Sequence, residues 1–155
     1  MVNNLASDVG QSGLMSATAL HAQPVVSANP RVPISWGELI DKITILEIKI
    51  AKLGPGPQLD NVRREHDALT AVRDRNAPSH EAWREIAGEL KAINETLWQI
   101  EDDIRDCERE KRFDARFIEL ARSVYRTNDK RARAKRQLND KMGSALIEEK
   151  LYRSY

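Results

Sequence analysis

Residues 83–107 read WREIAGELKAINETLWQIEDDIRDC, and this stretch decides the fold. Trp83, Ile86, Leu90, Ile93, Leu97, Ile100, Ile104 and Cys107 recur at alternating spacings of three and four. Side chains spaced in this way fall on one stripe of an α-helix, whereas a half-buried strand alternates every second residue. The spacing predicts a helix over 80–110. Ser79 is its expected cap, and Glu81 lies in the first turn, where an acid faces the positive end of the helix dipole. Leu90, Ile93, Leu97 and Ile100 are the expected core.

Upstream, Ser35 and Glu38 have the S-x-x-E spacing of a capping box, with Ile34 placed to staple against Leu39. Trp36, Leu39, Ile43, Leu46, Ile50 and Leu53 form a second heptad seam and predict a helix over 36–53. Ile40, Ile45 and Ile48 widen its apolar surface, so it should touch more than one neighbour. Gly54, Pro55 and Pro57 stop it. A further helix is expected over 59–75, with Leu59, Val62, His66 and Leu69 on one stripe, ending before Pro78. Downstream, a helix over 114–142 is predicted to begin at Asp114, with Phe113 and Ile118 as a staple, and to end at Gly143. A short helix could follow from Ser144 to Lys150. The predicted fold is all-α: an antiparallel helical bundle, or coiled-coil hairpin, of about four helices.

Residues 81–110 carry ten acids and four bases, a net charge of −6; residues 111–141 carry eleven bases and four acids, a net charge of +7. The break near Lys111–Asp114 makes these two helices antiparallel neighbours, with opposite charges flanking one seam. An outer basic stripe, Arg126, Lys130 and Arg133, is accounted for by that acidic neighbour, and aromatic interleaving is sparse. Nucleic acid is therefore not an expected partner.

Residues 1–32 differ in composition, being rich in Ser, Ala, Asn and Gln, with Arg31 as the first base. The apolar run Leu14–Ala22 resembles part of a signal peptide but lacks a positive n-region. A disordered tail over 1–32 and a helical bundle domain over 33–155 are the expected organisation. Charged residues are 32% of the chain and aromatic residues 5%, which suits a solvated helical protein more than a β-sandwich. Cys107 stands alone, so neither an internal disulfide nor a cysteine-based zinc site is expected, and the reducing cytoplasm is the default location. No apolar run is long enough to span a membrane.

No catalytic signature is present: there is no G-x-G-x-x-G, Walker lysine motif, G-x-S-x-G or H-E-x-x-H. No cofactor or metal is expected. What remains is a set of polar residues where the helical period predicts core. Glu47 lies in the arc of Trp36, Ile43 and Ile50. His66 lies on the Leu59–Leu69 stripe. Asn128, Arg131 and Lys135 interrupt a stripe running from Phe117, Ala121 and Val124 to Leu138 and Met142. A buried charge needs a partner. Glu47 could pair with Arg131 or Lys135, and an anionic small molecule could be held by the remainder, since arginine binds two oxygens at once. The five residues Glu47, His66, Asn128, Arg131 and Lys135 are the candidate ligand site. The alternative is solvated or internally paired structural charge.

Three segments together carry a resemblance: Pro33–Lys49 (PISWGELIDKITILEIK), Phe117–Arg131 (FIELARSVYRTNDKR) and Glu148–Lys150. They resemble a family of small bacterial proteins of unknown function. The resemblance covers about 33–152 and implies an association with glycosyltransferase and tetratricopeptide modules of surface-polysaccharide loci, without catalytic residues. A second resemblance is to an all-α chorismate mutase, through the opening Glu38–Ile43 and through Arg63-Arg64-Glu65. It implies a dicarboxylate held by arginines and lysines, but the first helix here has no arginine. The preferred expectation is a non-enzymatic helical interaction or scaffold protein with a protein partner or self-association. The runner-up is a small all-α enzyme or binding protein using the charged cluster on an anionic ligand.

Overall fold

The computed structural model describes residues 30–149 and 151. The expectation of a tail over residues 1–32 falls almost wholly outside that range. Four helices follow in order: α1 (Trp36–Lys52), α2 (Pro57–Asn76), α3 (Ala82–Arg109) and α4 (Ala115–Met142), with no strand among the described residues. The all-α bundle predicted from periodicity is what forms.

The helix ends follow local chemistry. The Ser35 hydroxyl accepts from the Glu38 amide at 3.3 Å, and Asp114 accepts from the amides of Arg116 and Phe117 at 3.0 and 3.2 Å. Gly143 ends α4 in the left-handed conformation, φ 69°. α2 starts two residues earlier than expected, because Pro57 occupies its first turn, where a missing N–H costs nothing. α3 starts at Ala82 on Glu81, so Ser79 is not its cap. No helix forms over Ser144–Glu149. That segment turns back along α4 instead, tied by its carboxylates. Neither expected staple holds Ile34 or Ile118 in the interior: both are exposed, and Phe113 meets Phe117 edge-on with centroids 5.2 Å apart.

α3 and α4 pair as an antiparallel hairpin, α1 lies against both of them, and α2 folds back on α1 alone. The core joins Ile40 of α1, Trp83 and Leu90 of α3, and Ala134, Leu138 and Met142 of α4. α1 is buried on several sides, as its broad apolar surface predicted, with Leu39, Ile43, Leu46 and Ile48 each under 4% exposed.

Two core expectations are corrected. Leu90 is fully buried, but Ile93, Leu97 and Ile100 are half-buried. With 17 residues, α1 is about 26 Å long, against about 42 Å for the 28-residue α3 and α4. α1 reaches the level of Asn94 and Trp98, where an open cleft borders Leu97, and the hairpin runs on beyond it toward the tip. On α4, Ala121 is exposed and Leu120 is buried, so the inward seam runs Phe117, Leu120, Val124, Thr127, Arg131, Ala134 and Leu138.

At the opposite end α1 and α4 approach very closely. A Cβ on Gly37 would collide with the Lys135 carbonyl group and lie 3.0 Å from the Asn139 side-chain oxygen. That oxygen accepts the Gly37 amide at 2.6 Å, and the Ser144 hydroxyl accepts the Trp36 amide at 2.8 Å. The end of α4 thus satisfies amides at the start of α1 that have no partner within the helix.

Candidate functional site

The polar residues of the core resolve into two clusters and a separate surface pair. At the centre, Asp41 of α1 is 2% exposed. Arg131 of α4 donates to both of its carboxylate oxygens, Nε to Oδ1 at 2.8 Å and Nη2 to Oδ2 at 2.5 Å. Asn94 of α3 donates to Asp41 Oδ1 at 2.9 Å and to the Thr44 hydroxyl at 3.0 Å, and Thr44 donates to the Asp41 carbonyl at 2.8 Å. Three helices are joined by one carboxylate. The bond to Asp41 raises the Arg131 pKa, against the opposing effect of burial.

One turn along α4, Lys135 has a side chain only 11% exposed. Its ammonium lies 2.5 Å from Glu38 Oε2 and 2.7 Å from Glu148 Oε2. Burial pulls the pKa of this lysine down, but the bonds to Glu148 and Glu38 outweigh it and the net shift is upward. Glu38, half of the predicted capping box, thus spends its carboxylate on α4. Beside it, Arg136 pairs with Glu149 at 3.0 Å, fixing the segment after α4 a second time.

The five sequence-predicted residues do not converge. Glu47 pairs with Lys91 at 2.8 Å and lies 4.0 Å from His66 Nε2, toward α2. It meets neither Arg131 nor Lys135, whose partners are Asp41, Glu38 and Glu148. The bond to Glu47 raises the Lys91 pKa. Asn128 and Arg131 line a cleft of about 550 Å³ between α1, α3 and α4, together with Ile45, Leu97, Trp98 and Glu101. Arg105, also at this cleft, is neutralised by Glu101 and Asp102 on its own helix. Among the described residues no group of three His, Cys, Asp or Glu side chains is arranged to hold a metal, and no helix is long and apolar enough to cross a membrane.

Asp41, Thr44 and Asn94 are the residues that sequence reasoning missed. A signal was present: Gly37, Asp41, Thr44 and Ile48 stand at i, i+4, i+7 and i+11, the stripe that faces α4 and α3. It was hidden by the stronger apolar stripe on the same helix. This buried network, the close approach at Gly37 and the capping of α1 by Asn139 all use residues within 30–155, the span matched by one family model. The chain belongs to DUF6165, a family of unknown function. No curated protein and no solved structure matches it. The DUF6165 match takes in all four helices and the segment that carries Glu148.

Proposed function

We propose that this chain is a non-enzymatic helical interaction or scaffold protein of the cytoplasm. The observation that carries the reading is the internal satisfaction of its buried charges. Arg131 is spent on Asp41, and Lys135 on Glu38 and Glu148. Both cations therefore act as cross-braces between helices. A catalytic or anion-binding cluster would leave its cations unpaired toward a cavity; Arg131 lines the cleft, but its Nε and Nη2 are both held by Asp41. The long α3–α4 hairpin, only partly covered by α1, offers surface for a partner. In the bacterial setting that the sequence resemblance implies, that partner belongs to polysaccharide or glycan assembly, beside glycosyltransferase or tetratricopeptide modules. Affinity capture of the full chain from its native host, with cross-linking mass spectrometry, tests the reading. The expected result is a specific protein linked to α3 or α4. Recovery of no specific protein, with a small anion that raises the melting temperature, would reverse it.

One observation favours a second reading, that of an anion-binding protein or small chorismate-mutase-like enzyme. The cleft holding Asn128 and Arg131 lies within the size range of small-molecule sites, about 300–1,000 Å³. Against it, Glu101 and Asp102 line the same cleft and disfavour an anion.

A further inference from the structure

α4 carries two stripes. The inward one meets α3. The outward one consists of Ile118, Ala121 and Tyr125 at i, i+3 and i+7, and all three are exposed, Ile118 at 52% and Tyr125 at 39%. Phe113, 54% exposed, lies at the same end of the hairpin. Arg122, Arg126, Lys130 and Arg133, also exposed, run along this outer side of α4. The Arg126 guanidinium lies 6.0 Å from the centre of the Tyr125 ring, so the row of cations borders the stripe directly.

The charges identify what fits there. Although α3 is acidic and α4 basic, the ion pair that spans the hairpin among those described is Arg116 to Asp103, at 2.8 Å. The neighbouring pairs stay within one helix: Arg105 with Glu101 and Asp102, Arg109 with Asp106, and Arg126 with Glu119. Beyond these pairs, the exposed residues of α3 include Glu85, Glu89 and Glu95 and those of α4 include Arg122, Lys130 and Arg133, so the outer faces are opposite in sign. The chain carries on α3 the acidic surface that its own α4 calls for. Packing α4 on a second α4 would oppose Arg122 and Arg126 to their own copies. Packing α4 on a second α3 matches sign to sign, and a two-fold axis makes that contact twice.

We infer that a second copy of this chain docks on the outer face of α4, the Ile118–Ala121–Tyr125 stripe of each protomer meeting the acidic α3 of the other. Two hairpins then complete a four-helix bundle. The inference rests on the reading of the chain as an interaction protein and names one partner for it.

Sedimentation equilibrium of the full chain, over a wide concentration range and at low and high salt, tests it. The expected result is a concentration-dependent rise to twice the chain mass that weakens in high salt. The double variant Ile118→Asp, Tyr125→Asp should remain monomeric while keeping the wild-type circular dichroism and melting temperature. In mixtures of isotope-labelled and unlabelled chains, a zero-length carboxyl–amine cross-linker should join Lys130 of one copy to an α3 carboxylate of the other. A single-chain mass at every concentration would overturn the inference, as would a dimer that survives the double variant or links through α2. So would a monomer that binds an oligonucleotide through the basic stripe. If the chain is monomeric but captures a host protein, the dimer fails and the interaction reading stands. If it dimerises and captures nothing, the dimer stands and the assembly role fails.

Discussion

Arg131 of α4 grips Asp41 of α1 with two parallel hydrogen bonds, 2.8 and 2.5 Å, between positions ninety residues apart. The carboxylate is buried, with a side chain 3% exposed, and the guanidinium is partly open at 29%. Removing the arginine strands a charge in the interior, and the usual cost of doing so is about 3–5 kcal/mol. Arg131→Ala should therefore lower the unfolding free energy in urea by an amount in that range. A loss under about 1 kcal/mol, the level of an exposed surface pair, would mean that the pair is solvated.

Gly37 marks the closest approach of α1 to α4. Gly37→Ala gains helix propensity worth up to about 1 kcal/mol. The new methyl collides with the Lys135 carbonyl, however, and backbone cannot swing aside as a flexible side chain can. Overpacking of this kind costs about 1–3 kcal/mol. A net fall in melting temperature is expected, and a rise would show that the two helices separate readily.

The two halves of the α3 seam should differ. Leu90→Ala, at a fully buried site, should cost about 2–5 kcal/mol. Leu97→Ala, at a half-buried site beside the cleft, should cost about 1–2 kcal/mol. Equal losses in paired urea titrations would show that the cleft is closed in solution.

These contrasts show what could be read from the residues alone. Seams with three-and-four spacing marked all four helices, and Gly143, Pro78 and Asp114 marked ends because each acts on its own few residues of backbone. Exposure along a seam was not legible. Leu97 and Leu90 occupy equivalent positions in the repeat, but Leu97 borders the cleft between α1, α3 and α4, whereas Leu90 is closed into the core. The site was legible by half. Arg131 and Lys135 were conspicuous as cations on an apolar stripe, but their partners are set by the angle and depth at which α1 meets α4. Glu47 fits the apolar arc of α1 better than Asp41 does, yet the close approach at Gly37 turns the Asp41 side toward α4. Glu148 lies beyond the last helix, where periodicity carries no information.

Lys135 gives a pH signature. Its pKa in the folded protein is raised above the ordinary lysine value of about 10.4. A group raised on folding contributes its full stability below the unfolded value and loses it as pH rises through the folded one. The difference in melting temperature between wild type and Lys135→Met should hold steady from neutral pH to about pH 9 and narrow above about pH 10.4. A gap that stays constant through the alkaline range would mean that the ammonium is not held by Glu38 and Glu148.

The central claim is that the buried charges brace the fold and do not receive a ligand. Thermal melts of wild type, Arg131→Ala, Asp41→Asn and the double variant, with and without millimolar phosphate or citrate, test it most directly. The account predicts a large loss for Arg131→Ala, partial recovery in the double variant because the stranded carboxylate is gone, and no effect of either anion. A wild-type melting temperature that rises with phosphate or citrate, and ceases to do so in a folded Arg131→Ala protein, would contradict it.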